Sequence, residues 1–228
     1  MDITPPVGVA HANWGAQTHQ RAHGVDLPLW ATALALSDGS ETVVMVDLDL
    51  GFERNGVQIR QAVASLTGLP LSHIRVSYTH THSGPSGGRW VDEGADVYQR
   101  YLDGLVDKVA GVAWSAVRDL RPARLSAGAG KSGIGVNRRF QRPEDGAVIC
   151  GRNWTGPVDP EVLVLRIDDK GGQPLAAIVN YACHGTTVGP DNDLITPDYP
   201  GVVKRVVEQA TGATCLFLQG AAGNVQTN

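Results

Sequence analysis

Long apolar runs, basic clusters and paired cysteines are all scarce in this 228-residue chain, and each scarcity removes a class of function. The longest apolar stretches, such as Ala213 to Leu218 and Leu175 to Val179, have the length of strands and fall far short of the ~20 residues a membrane-spanning helix needs. Lys and Arg number 19 against 23 Asp and Glu, a formal net charge of -4, and no run of basic residues could track phosphates, so nucleic acid is excluded as a partner. The three cysteines, Cys150, Cys183 and Cys215, are scattered and form no CxxC pair, which excludes a disulfide framework; the last two sit in apolar runs, where a thiol packs as a small hydrophobe. The opening MDITPPVGVA shows no basic segment followed by an apolar one, so no signal peptide is read and the cytoplasm is the expected compartment.

What is present suits a globular domain. Hydrophobic residues make up 42% of the chain, and its 28 Gly and 13 Pro fall between short apolar runs rather than in one linker, which predicts a single domain over residues 1–228. Strand-like segments run from Leu29 to Leu36, Thr42 to Leu48, Ile74 to Tyr78, Arg124 to Ala127, Glu161 to Ile167, Leu175 to Tyr181 and Thr214 to Leu218, and several read as buried on both faces. Helical periodicity covers Gln58 to Leu66, Val97 to Leu120 and Tyr199 to Ala210. Strands interspersed with helices predict an α/β layered sandwich, a mixed sheet flanked by helices, with any site beyond the C-terminal ends of the strands.

Three strands run into loops of unusual composition: Tyr78 into Thr79-His80-Thr81-His82-Ser83-Gly84-Pro85, Tyr181 into Cys183-His184-Gly185-Thr186, and Leu218 into Gln219-Gly220-Ala221-Ala222-Gly223-Asn224. His80 and His82, two apart at an extended strand end, put both imidazoles on one side. His184 alone would more often be a hydrogen-bonded structural residue, but it reinforces the pair. Imidazole suits zinc, and a catalytic site would keep one position for water whose pKa falls towards ~7. Arg138 could polarise a carbonyl through its rigid fork of donors, with a solvated loop arginine as the plain alternative. Asp47 and Asp49 interrupt a buried strand and need partners; orienting a ligand histidine or capping the following helix would each supply one. His11, His19, His23 and His73 have no partner at readable spacing, although His11 and His19 could line an entrance.

These strings occur together, and in this order, in one known family. Asp2-Ile3-Thr4-Pro5-Pro6, Val46-Asp47, the His-Thr-His-Ser-Gly-Pro segment at 80–85, Asn137-Arg138-Arg139, Gly156-Pro157-Val158-Asp159-Pro160, Cys183-His184, Asp198-Tyr199-Pro200-Gly201 and the closing Gly-Asn segment resemble the neutral/alkaline ceramidases and their bacterial relatives over nearly the whole chain. The resemblance implies a zinc hydrolase, in lipid metabolism, that cleaves the amide bond of an N-acyl or lipid-like small molecule. It implies His80 and His184 as zinc ligands, with a glutamate and a tyrosine that in the family lie well beyond residue 228. It also implies that His82 faces substrate or water, that Arg138 matches the active-site arginine, and that Asp47, Gly84, Asn224 and Gln226 support ligands or substrate.

Two departures qualify this expectation. Gln226 stands where true ceramidases carry a serine that acts at the scissile amide, and Thr227 replaces a proline. The second departure is length, because two histidines alone bind zinc weakly. Either a second chain or a C-terminal segment completes the site, or His82 and an aspartate such as Asp198 are recruited instead. A metallo-β-lactamase or amidohydrolase site is a further enzyme reading, and a binding module that kept the scaffold but lost the chemistry is a reading of another class.

Overall fold

The computed structural model describes residues 1–11, 13–52, 55–87 and 92–228. In chain order the strands are β1 (Gly24–Val25), β2 (Ala31–Ser37), β3 (Thr42–Leu48), β4 (Ile74–Tyr78), β5 (Ala123–Lys131), β6 (Gly135–Gln141), β7 (Val148–Asn153), β8 (Glu161–Asp169), β9 (Pro174–Tyr181), β10 (Leu194–Ile195), β11 (Thr214–Gln219) and β12 (Val225–Thr227). The helices are α1 (Gly56–Thr67), α2 (Ala95–Arg118) and α3 (Asp198–Thr211). The α/β sandwich of mixed sheets and flanking helices is as expected, and every predicted strand and helix overlaps an observed one. β6, β7 and β12, which hold Arg138 and Gln226, were not anticipated.

The first sheet, in the order β2-β3-β4, pairs β2 and β3 antiparallel and β3 and β4 parallel. Its hairpin turns on Asp38, whose carboxylate accepts the N–H groups of Ser40 and Glu41 at 2.9 Å each, while Gly39 takes φ 95. Alternate residues of β3 face opposite ways. Val44, Val46 and Leu48 join Ile59 and Val63 of α1 and Leu105 and Val109 of α2 in one core cluster. Both α1 and α3 end on a left-handed glycine, Gly68 and Gly212, whose N–H returns to the carbonyl four residues back.

The second sheet has the order β11-β9-β8-β5, with β11 and β9 parallel and the rest antiparallel; α3 packs on β11 and β9. β11 is an edge strand, and its outward N–H groups are taken by side chains. Cys215 donates to Glu208 at 3.0 Å, and Phe217 donates to Asp47 of β3 at 3.0 Å. The free edge of this sheet thus meets the second face of the first. There Lys204 of α3, buried, reaches Asp47 at 3.2 Å and Asp49 at 2.6 Å, both carboxylates being fully buried. Burial works against the ammonium, but the two carboxylates outweigh it and raise the pKa of Lys204.

This overturns the expected role of Asp47. Its carboxylate neither orients a histidine nor caps a helix; it balances Lys204 and satisfies the β11 edge. The reading of strands as buried on both faces also fails for the outer half of this sheet. All nine residues of β5 are exposed, and β8 shows exposed residues on both faces. A third sheet, β12-β6-β7, is antiparallel, with an irregularity between Asn137 and Arg139 where it passes Arg138. No helix among the described residues is long and apolar enough to cross a membrane.

Candidate functional site

Four strand exits and one N-terminal loop meet at a cluster of three histidines. Beyond β3 and β4 the chains stay in step, with Thr79 N–H bonded to Leu48 O and His80 N–H to Leu50 O, both at 2.9 Å. Beyond β9 the chain runs beside this loop, pairing Gly185 with Thr81, so that His80, His82 and His184 face one another. The approach is too close for any side chain at 185: a Cβ there would stand 2.8 Å from His80 O. His80 itself takes φ 66, a left-handed conformation that is rare outside glycine and costs on the order of 1–3 kcal/mol.

Each imidazole is aimed by a backbone carbonyl from a different segment. His80 Nδ1 donates to Gly51 O (3.1 Å) after β3, His184 Nδ1 to Ala222 O (2.7 Å) after β11, and His82 Nδ1 to Asn13 O (3.0 Å) in the N-terminal loop. A carbonyl only accepts, so each Nδ1 carries the proton and each neutral ring presents a bare Nε2. One ring nitrogen from each of the three histidines lies within 4.8 Å of those of the other two. His80 Nε2 and His184 Nε2 are 3.1 Å apart, and His82 Nε2 is buried without a hydrogen-bond partner. Two lone pairs at 3.1 Å repel unless a positive charge lies between them. Tetrahedral zinc with bonds of ~2.0–2.1 Å spaces its nitrogens by roughly 3.3–3.4 Å, so the donor chemistry, the second-sphere carbonyls and the spacing all fit a metal ion.

The electrostatics agree with neutral rings at His82 and His184. Burial, then the neighbouring His80 and His184, push His82 down to about 3, and burial lowers His184 as well. Arg138 adds to the lowering at both, which places its guanidinium within electrostatic reach of the cluster. It comes from β6, where its N–H bonds Asn224 O at 2.8 Å and its Nε donates to Gly223 O at 3.0 Å. The segment 222–225 therefore holds both His184, through Ala222 and Val225 carbonyls, and Arg138.

The other expected site residues are placed differently. Asn224 contributes the carbonyl that fixes Arg138. Gly84 is buried beside Thr81 and Leu29, at distances an ordinary Cβ would tolerate, so no steric need for glycine arises there. Gln226 turns to β7, donating to Gly151 O at 3.1 Å. Asp198 does not join the cluster, because both its oxygens accept backbone N–H groups. His11 and His19 pair with each other, Nδ1 to Nε2 at 2.8 Å, in the loop that supplies Asn13. Sequence reasoning missed Asn13, Gly51 and Ala222 because they act through carbonyls; only the glycine after Leu50 left a trace, since a Cβ there would stand 2.8 Å from Asn13 Nδ2. Three cavities of about 590 to 760 Å³ are lined elsewhere and include none of the histidines.

Residues 1–223 match the family described as "Neutral/alkaline non-lysosomal ceramidase, N-terminal". Similar curated proteins include the neutral ceramidase of Pseudomonas aeruginosa, 26% identical over 242 residues that take in 100% of this chain and 36% of that protein, and neutral ceramidase A of Dictyostelium discoideum, 27% identical over 252 residues, 100% of this chain and 35% of that one. The crystal structure of neutral ceramidase from Pseudomonas aeruginosa superposes with a TM-score of 0.76 at 25% identity, covering 100% of this chain and 38% of that one. The chain thus spans about a third of the length of these relatives.

Proposed function

We propose, on the premise that this chain belongs to the neutral/alkaline non-lysosomal ceramidase family, that it carries the metal-binding half of a zinc-dependent hydrolase acting on the amide bond of an N-acyl, lipid-like substrate. The observation that supports a metal most directly is the convergence of three unprotonated Nε2 atoms, each fixed by a carbonyl on its far side. Zinc suits such a set, and when bound it supplies Lewis acidity and lowers the pKa of water.

The chain's own groups divide the remaining work. His80 and His184 hold the ion. His82, whose burial keeps it neutral, offers Nε2 as an acceptor that orients water or the substrate N–H instead of storing a proton. Arg138 has its Nε committed to Gly223, which leaves its terminal amino groups to stabilise negative charge developing on the acyl oxygen. Gln226, tied to β7, provides no hydroxyl at the position of the family serine, which favours N-acyl amides other than ceramide itself. Further ligation comes from polypeptide outside these residues, consistent with the greater length of the relatives.

The test is zinc stoichiometry and affinity for the wild type, His80→Ala and His184→Ala, followed by hydrolysis of N-acyl sphingosine and of simple N-acyl amines. About one zinc per chain is expected, and each substitution should weaken it by more than the ~100-fold that second-sphere changes reach. A wild type that binds no zinc at micromolar concentration, alone and together with the polypeptide that completes the ligand set, would overturn the reading and leave a binding module on the same scaffold.

A further inference from the structure

The loop after β9 carries one histidine of the cluster and braces another. His184 lies near its start, and Gly185 O accepts the backbone N–H of His82 at 3.1 Å. This loop is held from the start of α3. Asp198 Oδ2 accepts the N–H groups of Thr187 at 2.9 Å and Val188 at 3.3 Å, and its Oδ1 accepts that of Tyr199 at 2.6 Å. The Tyr199 hydroxyl donates to Cys183 O at 2.5 Å, on the other side of His184. Gln219 of β11 donates to the same carbonyl at 2.8 Å.

The geometry at Asp198 is not that of ordinary helix capping. Its carboxylate is 3% exposed and turned back onto the preceding loop, and its backbone holds φ 56, where a non-glycine residue persists only if its surroundings enforce it. The enforcement here is the grip on 187 and 188. None of these hydrogen bonds reaches an Nε2 of the cluster; they end on backbone groups on either side of His184.

We propose that Asp198 and Tyr199 are positioning residues for the histidine centre, setting the 183–188 loop and through it the placement of His184 and the backbone of His82. The proposal rests on the reading that the histidine cluster binds a metal through His80 and His184. It accounts for the Asp198-Tyr199-Pro200-Gly201 segment as a brace and not as a source of ligands.

The experiment compares four variants by zinc affinity, thermal melting and amide exchange. Asp198→Gly keeps the left-handed backbone and removes both acceptors; Asp198→Asn keeps the backbone and one acceptor. Tyr199→Phe removes one hydroxyl, and Leu105→Ala loosens the distant first core without touching the loop. Zinc affinity should fall ~10- to 100-fold in Asp198→Gly and ~3-fold in Tyr199→Phe, and stay within ~3-fold in Asp198→Asn. It should be unchanged in Leu105→Ala despite a lower melting temperature.

In the metal-free protein the amides of Thr187 and Val188 should exchange at least ~10-fold faster in Asp198→Gly, with those of β2 to β4 unaffected. The proposal is overturned if Asp198→Gly leaves both zinc affinity and this protection intact, or if Leu105→Ala loses as much affinity at the same melting temperature. Should the wild type bind no zinc, alone or with the polypeptide that completes the ligand set, the metal reading fails while the exchange rates still decide the brace. Should Asp198→Gly not fold, Tyr199→Phe decides it by zinc affinity, a value equal to that of the wild type overturning the brace.

Discussion

Around β3, the valines and leucine at 44, 46 and 48 are fully buried against α1 and α2, whereas on β8 the successive residues Leu163 and Val164 are 45% and 37% exposed although they point to opposite faces. The two strands look alike as sequence, TVVMVDL and EVLVLRIDD. Their difference lies in what covers them. β3 is central, with helices over one face and the Lys204 network against the other, while β5 is exposed throughout and β8 is covered only in part, at Val162 and Ile167. The histidine cluster sits on the seam between these two regions, its histidines arriving from β4 in the closed half and β9 in the open one. Burial at the seam is therefore set by a few polar contacts, and these are where the comparison is most easily broken.

The largest effect is expected at Lys204. Lys204→Met leaves Asp47 and Asp49 buried without their counter-charge, and denaturant titration should show a loss of about 3–5 kcal/mol, with most of it regained when both aspartates become Asn. A full recovery would show that the network serves geometry and not stability. Next comes the closed core, where Leu105→Ala should cost about 2–5 kcal/mol by the same measurement, since the side chain is 1% exposed among rigid neighbours.

Acid should act through His11, which is fully buried in the loop over the cluster. Burial, reinforced by the nearby His19, pushes its pKa from 6.5 down to about 4. Between those values the unfolded chain binds the proton and the folded one does not, so stability is complete above about 6.5 and falls as pH drops towards 4. A loss of about 1–3 kcal/mol across that window is expected, and His11→Gln should flatten it. The smallest effect belongs to the open half. Leu163→Lys should change stability by less than ~0.5 kcal/mol, because the side chain is already in water. A change as large as that of Leu105→Ala would mean that β8 is covered in solution, and the contrast between the halves would vanish.

Much of this was legible in the chain. The residues of β2, β3, β4, β9 and β11 announce themselves by apolar runs of strand length, and His80, His82 and His184 by following those runs directly. β6 and β7 stayed hidden because Gly135-Val136-Asn137-Arg138 and Ile149-Cys150-Gly151-Arg152 show no sustained alternation; they are short strands held by pairing more than by a buried face. Asp47 was misread because a lone carboxylate in a strand names no partner, and Lys204 lies 157 residues away in sequence.

The sequence by itself determined which residue types could do chemistry and that strand ends would present them, since side-chain period and turn composition are local properties. Only the tertiary structure decided which nitrogen of each histidine is free, that Asn13, Gly51 and Ala222 hold the rings by their carbonyls, and that Asp198 braces instead of binding. Those choices depend on distances between segments up to a hundred or more residues apart, and a backbone carbonyl has no letter of its own to be read.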